Sequence, residues 1–500
     1  MRYFSLVLFA LLFLFSANLQ AQELKYDISL EPAKTGGKLK LEVKLEFTPW
    51  KGDTTPFRLP TVFTWSSNLQ RCFRFIKAVE GGRIVQKDSI TWAFVKKSGA
   101  TKGVISYQVI QNFPGEQVTV ETSFSPIILE DYIHIPAPCL FLVPANYYSY
   151  DNFDVTVNWT NIPPNWKIQN NINSGQTQQK FTSTKEVDWI RSVWVAGDFR
   201  LLKGEVFGKE VAFALRGKWV FSDETLMKML LKTIETQREE WQDKDIPYYS
   251  ATMIPFVSPN RGRVGNARTG LGLGYGQSNS FVIFADPLCP LKDLTNLFNH
   301  EMMHDWIGGK INIGQNPKLP GLRWLAEGFT EYMSLRNRWK NGFISDAAFM
   351  EELNEEVFNA HYSDPNSETP NATVEKYFFR KPEYEGIPYR RGAIIAFYYD
   401  LAIREKSNNE KTLLHFMRDL LELTNGTGRD IQENFGLFTE TLEEYLGEDP
   451  GSFLEKHATK GLRIAPEQFK SAELLTMKVT AVGVPKFSLN AGKAELFKKD

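Results

Sequence analysis

The chain is short of the residues that several function classes require. Its 500 residues include only three cysteines, Cys72, Cys139 and Cys289. They are too few and too widely spaced for a disulfide-stapled scaffold or a cysteine metal site. One disulfide can form, or all three remain thiols. Charge of neither sign prevails: 58 Lys and Arg face 59 Asp and Glu, for a net charge of −1. That balance leaves no basic footprint for nucleic acid. Beyond the first two dozen residues no apolar run approaches the length of a membrane-spanning helix, so no membrane span is expected in the mature chain. Internal repeats and low-complexity tracts are absent. The Gly/Arg-rich stretch 261–276 has neither a G-x-G-x-x-G spacing nor a G-K-[ST] ending, so it has no phosphate-cradling signature and suits a turn or cleft wall. Histidine is scarce too, with six in the chain, which gives weight to any two that fall close together.

At the amino end, Arg2 precedes an apolar run from Leu6 to Phe15, and Leu19-Gln20-Ala21 ends on a small residue. Residues 1–22 are therefore expected to be a secretory signal peptide and the mature chain to be exported, periplasmic or extracellular. The remainder suits roughly two to four domains. Its aromatic content, 37 Phe, 18 Tyr and 12 Trp, suits large cores and a cleft.

From about residue 23 to 205 the text alternates apolar and polar residues, most clearly over Leu39–Phe47. Further strand-like runs lie at Thr61–Trp65, Ile90–Val95, Val104–Val109, Val118–Phe124 and Phe153–Trp159. This pattern predicts an antiparallel β-sandwich-like domain. Over 206–440 the chain becomes mainly helical. A helix is expected from Ser222 to about Gln242, then strands at Tyr248–Phe256 and Ser280–Phe284. A tail, 441–500, is expected to be helical and then irregular. The fold class is thus α+β and multidomain.

The chemistry concentrates at His300-Glu301-Met302-Met303-His304. Two histidines four apart share a helix face and can grip one ion, while Glu301 stands where a zinc-bound water needs a base. The helix is expected to run from Leu291 to Ile307 and stop at Gly308-Gly309. On the next helix Glu327, 22 residues beyond His304 (327 − 304 − 1), is the natural third ligand. Two imidazoles and one carboxylate leave a fourth position open, as in catalytic rather than structural zinc sites. A class using a third histidine six residues past His304 is excluded, because position 310 is Lys and position 307 is Ile. One Zn2+ ion and a peptide or protein substrate follow as expectations. Glu331, one turn past Glu327, can orient a zinc histidine through its other ring nitrogen, and Asp305 is a weaker candidate for the same task.

His300–His304 with Trp306, and Trp324-x-x-Glu327-Gly328-Phe329-Thr330-x-Tyr332, resemble the gluzincin metallopeptidases. Within these the M61 family of glycyl aminopeptidase-like proteins is most similar. The segment from Tyr389-Arg-Arg-Gly392 to Asp400-Leu-Ala-Ile-Arg404 resembles that family's Tyr-x-Lys-Gly helix. The resemblance covers about 250–425 and, more loosely, 24–200. It implies a β-domain followed by a thermolysin-like catalytic domain, Glu301 as general base, and Tyr389 as donor to the tetrahedral oxyanion. One departure matters for specificity. Where relatives carry a glutamate for the substrate's free amine, this chain reads Gly272-Leu-Gly-Tyr-Gly276-Gln277, with no acid. Gly276 and Gln277 remain as substrate-binding candidates, but Gln277 cannot neutralise an ammonium. Three readings follow: an exported zinc peptidase of aminopeptidase type, an endopeptidase or oligopeptidase without amine anchoring, and a non-catalytic secreted binding protein on the same scaffold.

Overall fold

A computed structural model of the chain describes residues 22–31, 39–50, 52–63, 66–144, 152–185, 189–246, 248–256, 272–311, 321–427, 435–469 and 473–500. Residues 1–21 of the expected leader lie outside them, as do Arg261, Arg263 and Arg268 of the Gly/Arg-rich stretch.

In the N-terminal part the period-two pattern works as read. Along Lys40–Phe47, Leu41, Val43, Leu45 and Phe47 are buried. They belong to a six-stranded sheet in the order Gln178–Lys185, Asn152–Thr160, Gln22–Glu31, Lys40–Phe47, Gly103–Val109, Phe73–Glu80. The sheet is not purely antiparallel, because Gln22–Glu31 runs parallel to Asn152–Thr160. Strand patterning reports which face is buried, not which neighbour pairs, so sequence alone could not give this. Val118–Phe124 also departs from expectation. It is a turn, closed by Thr122 and Ser123 N–H groups on the Thr119 carbonyl, and its apolar residues Val118 and Phe124 are buried without a ladder.

A four-stranded sheet, ordered Ile127–Ile128, Tyr132–Pro136, Val193–Gly197, Lys167–Gln169, joins this part to the next. Alternation along its strands serves two cores. Ile133, Ile135, Trp194 and Ala196 pack with the six-stranded sheet. Tyr132, Val193 and Val195 face the other way, onto Ala214, Ile254, Val282 and Phe284.

Those partners belong to a five-stranded sheet: β1 (Arg200–Val206), β2 (Lys209–Leu215), β3 (Tyr248–Pro255), β4 (Gly272–Gln277) and β5 (Ser280–Ala285), in the order β1-β2-β3-β5-β4. β2, β3 and β5 run parallel, and β4 turns back antiparallel on β5 as an edge strand. The second face of the sheet carries Phe213, Met253, Phe281 and Ile283 into the helical core. There it meets α1 (Asp223–Glu240), α2 (Leu291–Met303), α3 (Arg323–Lys340) and α4 (Ile387–Lys406). Ser222 caps α1 by accepting from the Thr225 N–H, as its position before the apolar stripe suggests. The expected irregular tail holds instead a hairpin, Leu475–Val479 with Pro485–Leu489, whose Phe487 enters the helical core. Cys72, Cys139 and Cys289 are buried thiols. Among the described residues no helix is long and apolar enough to cross a membrane.

α3 and α4 touch backbone to backbone. A Cβ on Gly328 would lie 2.2 Å from the Gly392 Cα, and one on Gly392 would lie 1.7 Å from the Trp324 carbonyl oxygen. Further along, Asp400 of α4 accepts from the Tyr332 hydroxyl at 2.7 Å and the Leu413 N–H at 2.9 Å, and pairs with Arg336 and Arg404. Burial opposes ionisation of Asp400, but these guanidinium groups and donors bring its pKa down to about 2.

Two outcomes follow. Gly392→Ala should cost about 1–3 kcal/mol or more, because the obstacle is backbone and cannot rotate away, and calorimetry should show the lower midpoint. Because Asp400's pKa is depressed on folding, its contribution, on the order of 2 kcal/mol, should be complete above about pH 5 and fade as pH falls toward 2. Urea midpoints across that range should lose this segment of their pH slope in Asp400→Asn, which should also be less stable at neutral pH.

Candidate metal centre

α2 is fixed from both sides. Phe298 packs edge-on against Phe281 and Phe213 of the sheet. Gln237 of α1 donates to the Asn299 carbonyl at 2.8 Å. Past the helix, Trp306 stacks on Trp241 at 5.3 Å and donates its indole N–H to Asp243. The regular helix ends at Met303, four residues before the expected stop, because the following N–H groups tighten onto Met302 and Met303 carbonyls. His304 nevertheless keeps helical dihedrals (φ −66, ψ −11), so it still shares a face with His300. The two rings lie 4.9 Å apart.

Glu327 enters from the second turn of α3. Its Oε2 lies 3.4 Å from His300 Nε2 and 3.4 Å from His304 Nε2, and the three donor atoms lie within 4.8 Å of one another. Ligands bound at 2.0–2.1 Å in a tetrahedron stand about 3.3–3.4 Å apart. Two edges of this triangle already have that length. The remaining ring nitrogens are also engaged. Glu331 Oε2 is 3.3 Å from His300 Nδ1, and the Ile307 carbonyl is 3.0 Å from His304 Nδ1, with Thr330 Oγ1 at 3.4 Å. Each imidazole is thereby set to present Nε2 to the centre. Donor types, spacing and outer partners all fit one zinc ion.

The electrostatics agree. Burial works against a charged His300, yet its hydrogen bonds to the Glu327 and Glu331 carboxylates raise its pKa to about 10. Burial likewise opposes Glu327, which the two histidines hold well below the usual carboxylate range. The pocket is built to gather a compensating positive charge onto Glu327. Glu301 goes the other way: burial raises it, against the neighbouring histidines and a Gly276 backbone contact.

β4 closes the far side. Gly272, Gly274 and Gly276 point toward α2. Added Cβ atoms would sit 2.6 Å from Leu297 Cδ1, 2.5 Å from Glu301 Cγ and 2.6 Å from His304 Cβ respectively. Three glycines two apart on a strand thus lie flush on residues 297, 301 and 304 of one helix face. The stretch expected as a turn or cleft wall is, over 272–277, this edge strand. Alternation sends Gln277 to the opposite side with Tyr275, and both are buried. The Gln277 side chain therefore turns away from Glu301, and the strand presents only backbone, Gly276 included, to that side. Tyr389, at the start of α4, comes within 5.8 Å of the His300 ring, centroid to centroid.

His300, Glu301, His304, Glu327, Glu331 and Tyr389 are therefore brought together. Asp305 is not among them, since it faces Arg238 and Tyr249, and burial raises its pKa to about 7. Ile307 and Thr330 were missed from sequence. Each stands three residues past a ligand, a faint helical signal easily passed over.

No family model matches the chain, and no curated protein matches it in sequence. Solved structures share its fold. An aminopeptidase N family protein from Idiomarina loihiensis superposes with a TM-score of 0.69 at 17% identity, covering 91% of this chain and 79% of that one. An M1 zinc metallopeptidase from Deinococcus radiodurans gives 0.54 at 14% identity, covering 89% and 94%. A variant of the same enzyme bound to a Tyr-Ser-Ala substrate also gives 0.54, at 13% identity. The arrangement of a β-rich N-terminal part and a helical part is thus that of aminopeptidase N-like proteins.

Glu331→Gln should weaken zinc binding about 10–100-fold, read by competition with a chromogenic chelator, with the fold retained by circular dichroism.

Proposed function

We propose that the chain is an exported zinc metallopeptidase of the gluzincin type, M61-like in its motifs, that hydrolyses peptide bonds. The observation that carries this reading is the convergence of His300, His304 and Glu327 beside Glu301, on a helix face covered by a bare edge strand. The shared fold with M1 zinc metallopeptidases supports it. Export rests on the leader-like residues 1–22.

His300, His304 and Glu327 would hold the ion. When bound, zinc lowers the pKa of its water toward ~7 and polarises the scissile carbonyl. Glu301 takes a proton from the water and returns it to the leaving amine. Burial, which raises its pKa, eases its uptake of that proton. The Tyr389 hydroxyl donates to the oxygen that gains charge at the tetrahedral carbon. The outer edge of β4 has no strand partner among the described residues, so a peptide can lie along it as an added strand.

A second reading, endopeptidase or oligopeptidase, is favoured by one observation. β4 offers no carboxylate to a free ammonium, and Gln277 points away from the centre.

Glu301→Gln should keep one zinc per chain while kcat/KM on short peptides falls about 10²–10⁴-fold. Tyr389→Phe should lose about 10²–10³-fold in kcat. Cleavage of free but not amino-blocked peptides identifies an aminopeptidase, and the reverse an endopeptidase. Equal turnover by wild type and Glu301→Gln would sink the peptidase reading and leave a binding protein.

A further inference from the structure

A second charged cluster lies behind the start of α4, away from the metal ligands. Arg391 is only 3% exposed. Its Nη2 donates to the carbonyls of Ser367 at 2.8 Å and Thr369 at 2.6 Å. Its Nε and Nη1 have no partner, and among the described residues no carboxylate pairs with it. Carbonyls satisfy donors but do not neutralise a guanidinium, and a buried charge is retained only when paired. Burial alone draws this guanidinium down to about 10.

The surroundings add positive charge. The short helix Ala360–Tyr362 packs against α4 and brings His361, also 3% exposed, with its Nδ1 unpartnered. Burial lowers the pKa of His361, and Arg391, Arg390 and Arg463 lower it further. The acids nearby are already engaged. Asp364 pairs with Arg390 at 2.6 Å, and Glu368 accepts the Arg463 N–H at 3.3 Å. Arg463 itself donates to Ser367 Oγ and the Asp364 carbonyl. One buried positive charge remains, with unfilled nitrogens on Arg391 and on His361, which lies within reach of that charge.

We infer that Arg391 and His361 form a buried site for a monatomic anion, with chloride as the ligand. Arg391 would donate from Nε and Nη1, and neutral His361 from Nδ1. Burial selects for small size, since Arg391 and His361 are each only 3% exposed. The Nη2 side is already filled, because an added Cβ at Gly461 (φ +78) would lie 2.6 Å from both Nη2 and the Thr369 carbonyl oxygen. The anion neutralises α4 one residue before the Gly392 crossing and two after Tyr389. It thereby ties the start of that helix to the 364–370 loop and the turn at Gly461.

The test uses the full chain and needs no peptidase assay. Crystals soaked in sodium bromide should show an anomalous peak within contact distance of Arg391 Nε or Nη1 and His361 Nδ1. At fixed ionic strength, replacing gluconate by chloride or bromide should raise the thermal midpoint saturably by a few degrees. Arg391→Gln and the gentler His361→Phe should each remove that halide dependence. The bromide peak is read on the wild type, so it decides the matter even if Arg391→Gln fails to fold. Identical midpoints in all three anions, or a water with no anomalous signal at that position, would overturn the proposal.

Discussion

The crossing of α3 and α4 at Gly328 and Gly392 sets the distance on which the site depends. Glu327 immediately precedes one glycine, and Tyr389 stands one turn before the other. With no Cβ between them the backbones meet, as the 2.2 Å and 1.7 Å approaches of hypothetical Cβ atoms show. Any larger residue pushes the helices apart, and with them Glu327 and Tyr389. Small residues at a helix crossing act here as a spacer of fixed length. Glycine weakens a helix interior by roughly 0.5–1 kcal/mol relative to alanine, and the close packing offsets it.

A similar device works on the other side. Gly272, Gly274 and Gly276 let the edge strand lie against α2 without a side chain between the strand backbone and Glu301. The strand's odd positions, Leu273 and Tyr275, take up the domain interface, where Tyr275 meets Phe124 at 4.5 Å and Phe63 at 5.9 Å. One strand therefore serves two needs through its two faces. It lines the metal site with backbone and binds the N-terminal part with side chains. This arrangement leaves the strand without a carboxylate facing the centre, which is why the fold likeness to aminopeptidases does not by itself carry their specificity over.

What could be read from sequence divides along physical lines. His300, His304 and Glu331 were legible because helical periodicity is local and fixes which residues share a face. Glu327 was legible as the carboxylate on the next helix beyond the two histidines, and Tyr389 only through motif resemblance. The N-terminal strands showed themselves by alternation. Their partners did not: the parallel pairing of Gln22–Glu31 with Asn152–Thr160 spans more than a hundred residues, and nothing in either strand encodes it. Val118–Phe124 looked like a strand because its apolar residues are buried, but burial alone does not require a ladder. Gln277 shows the same point, because the phase of its strand, set by glycines facing α2, turns its side chain away from Glu301.

α4 shows how polar groups can specify what hydrophobicity leaves open. Ile394, Ile395, Ala396, Phe397 and Tyr399 are all buried, so the helix is apolar around most of its circumference, and such a helix has no preferred rotation in a core. Orientation must come from groups that tolerate only one partner. Gly392 can face only the gap at Gly328. Eight residues on, Asp400 must meet Tyr332 and Arg336 of α3 or bury an unpaired charge. Both lie toward α3, and together they fix the rotation and the axial position of α4. Tyr389, three residues before Gly392 and eleven before Asp400, falls on nearly the same face at 100° per residue. The phenol is aimed at the His300 ring by contacts that never touch the metal ligands. Ionic pairing deep in the helical layer is in this sense part of the site's geometry, and a substitution at Asp400 acts on Tyr389 through the rotation of the helix they share.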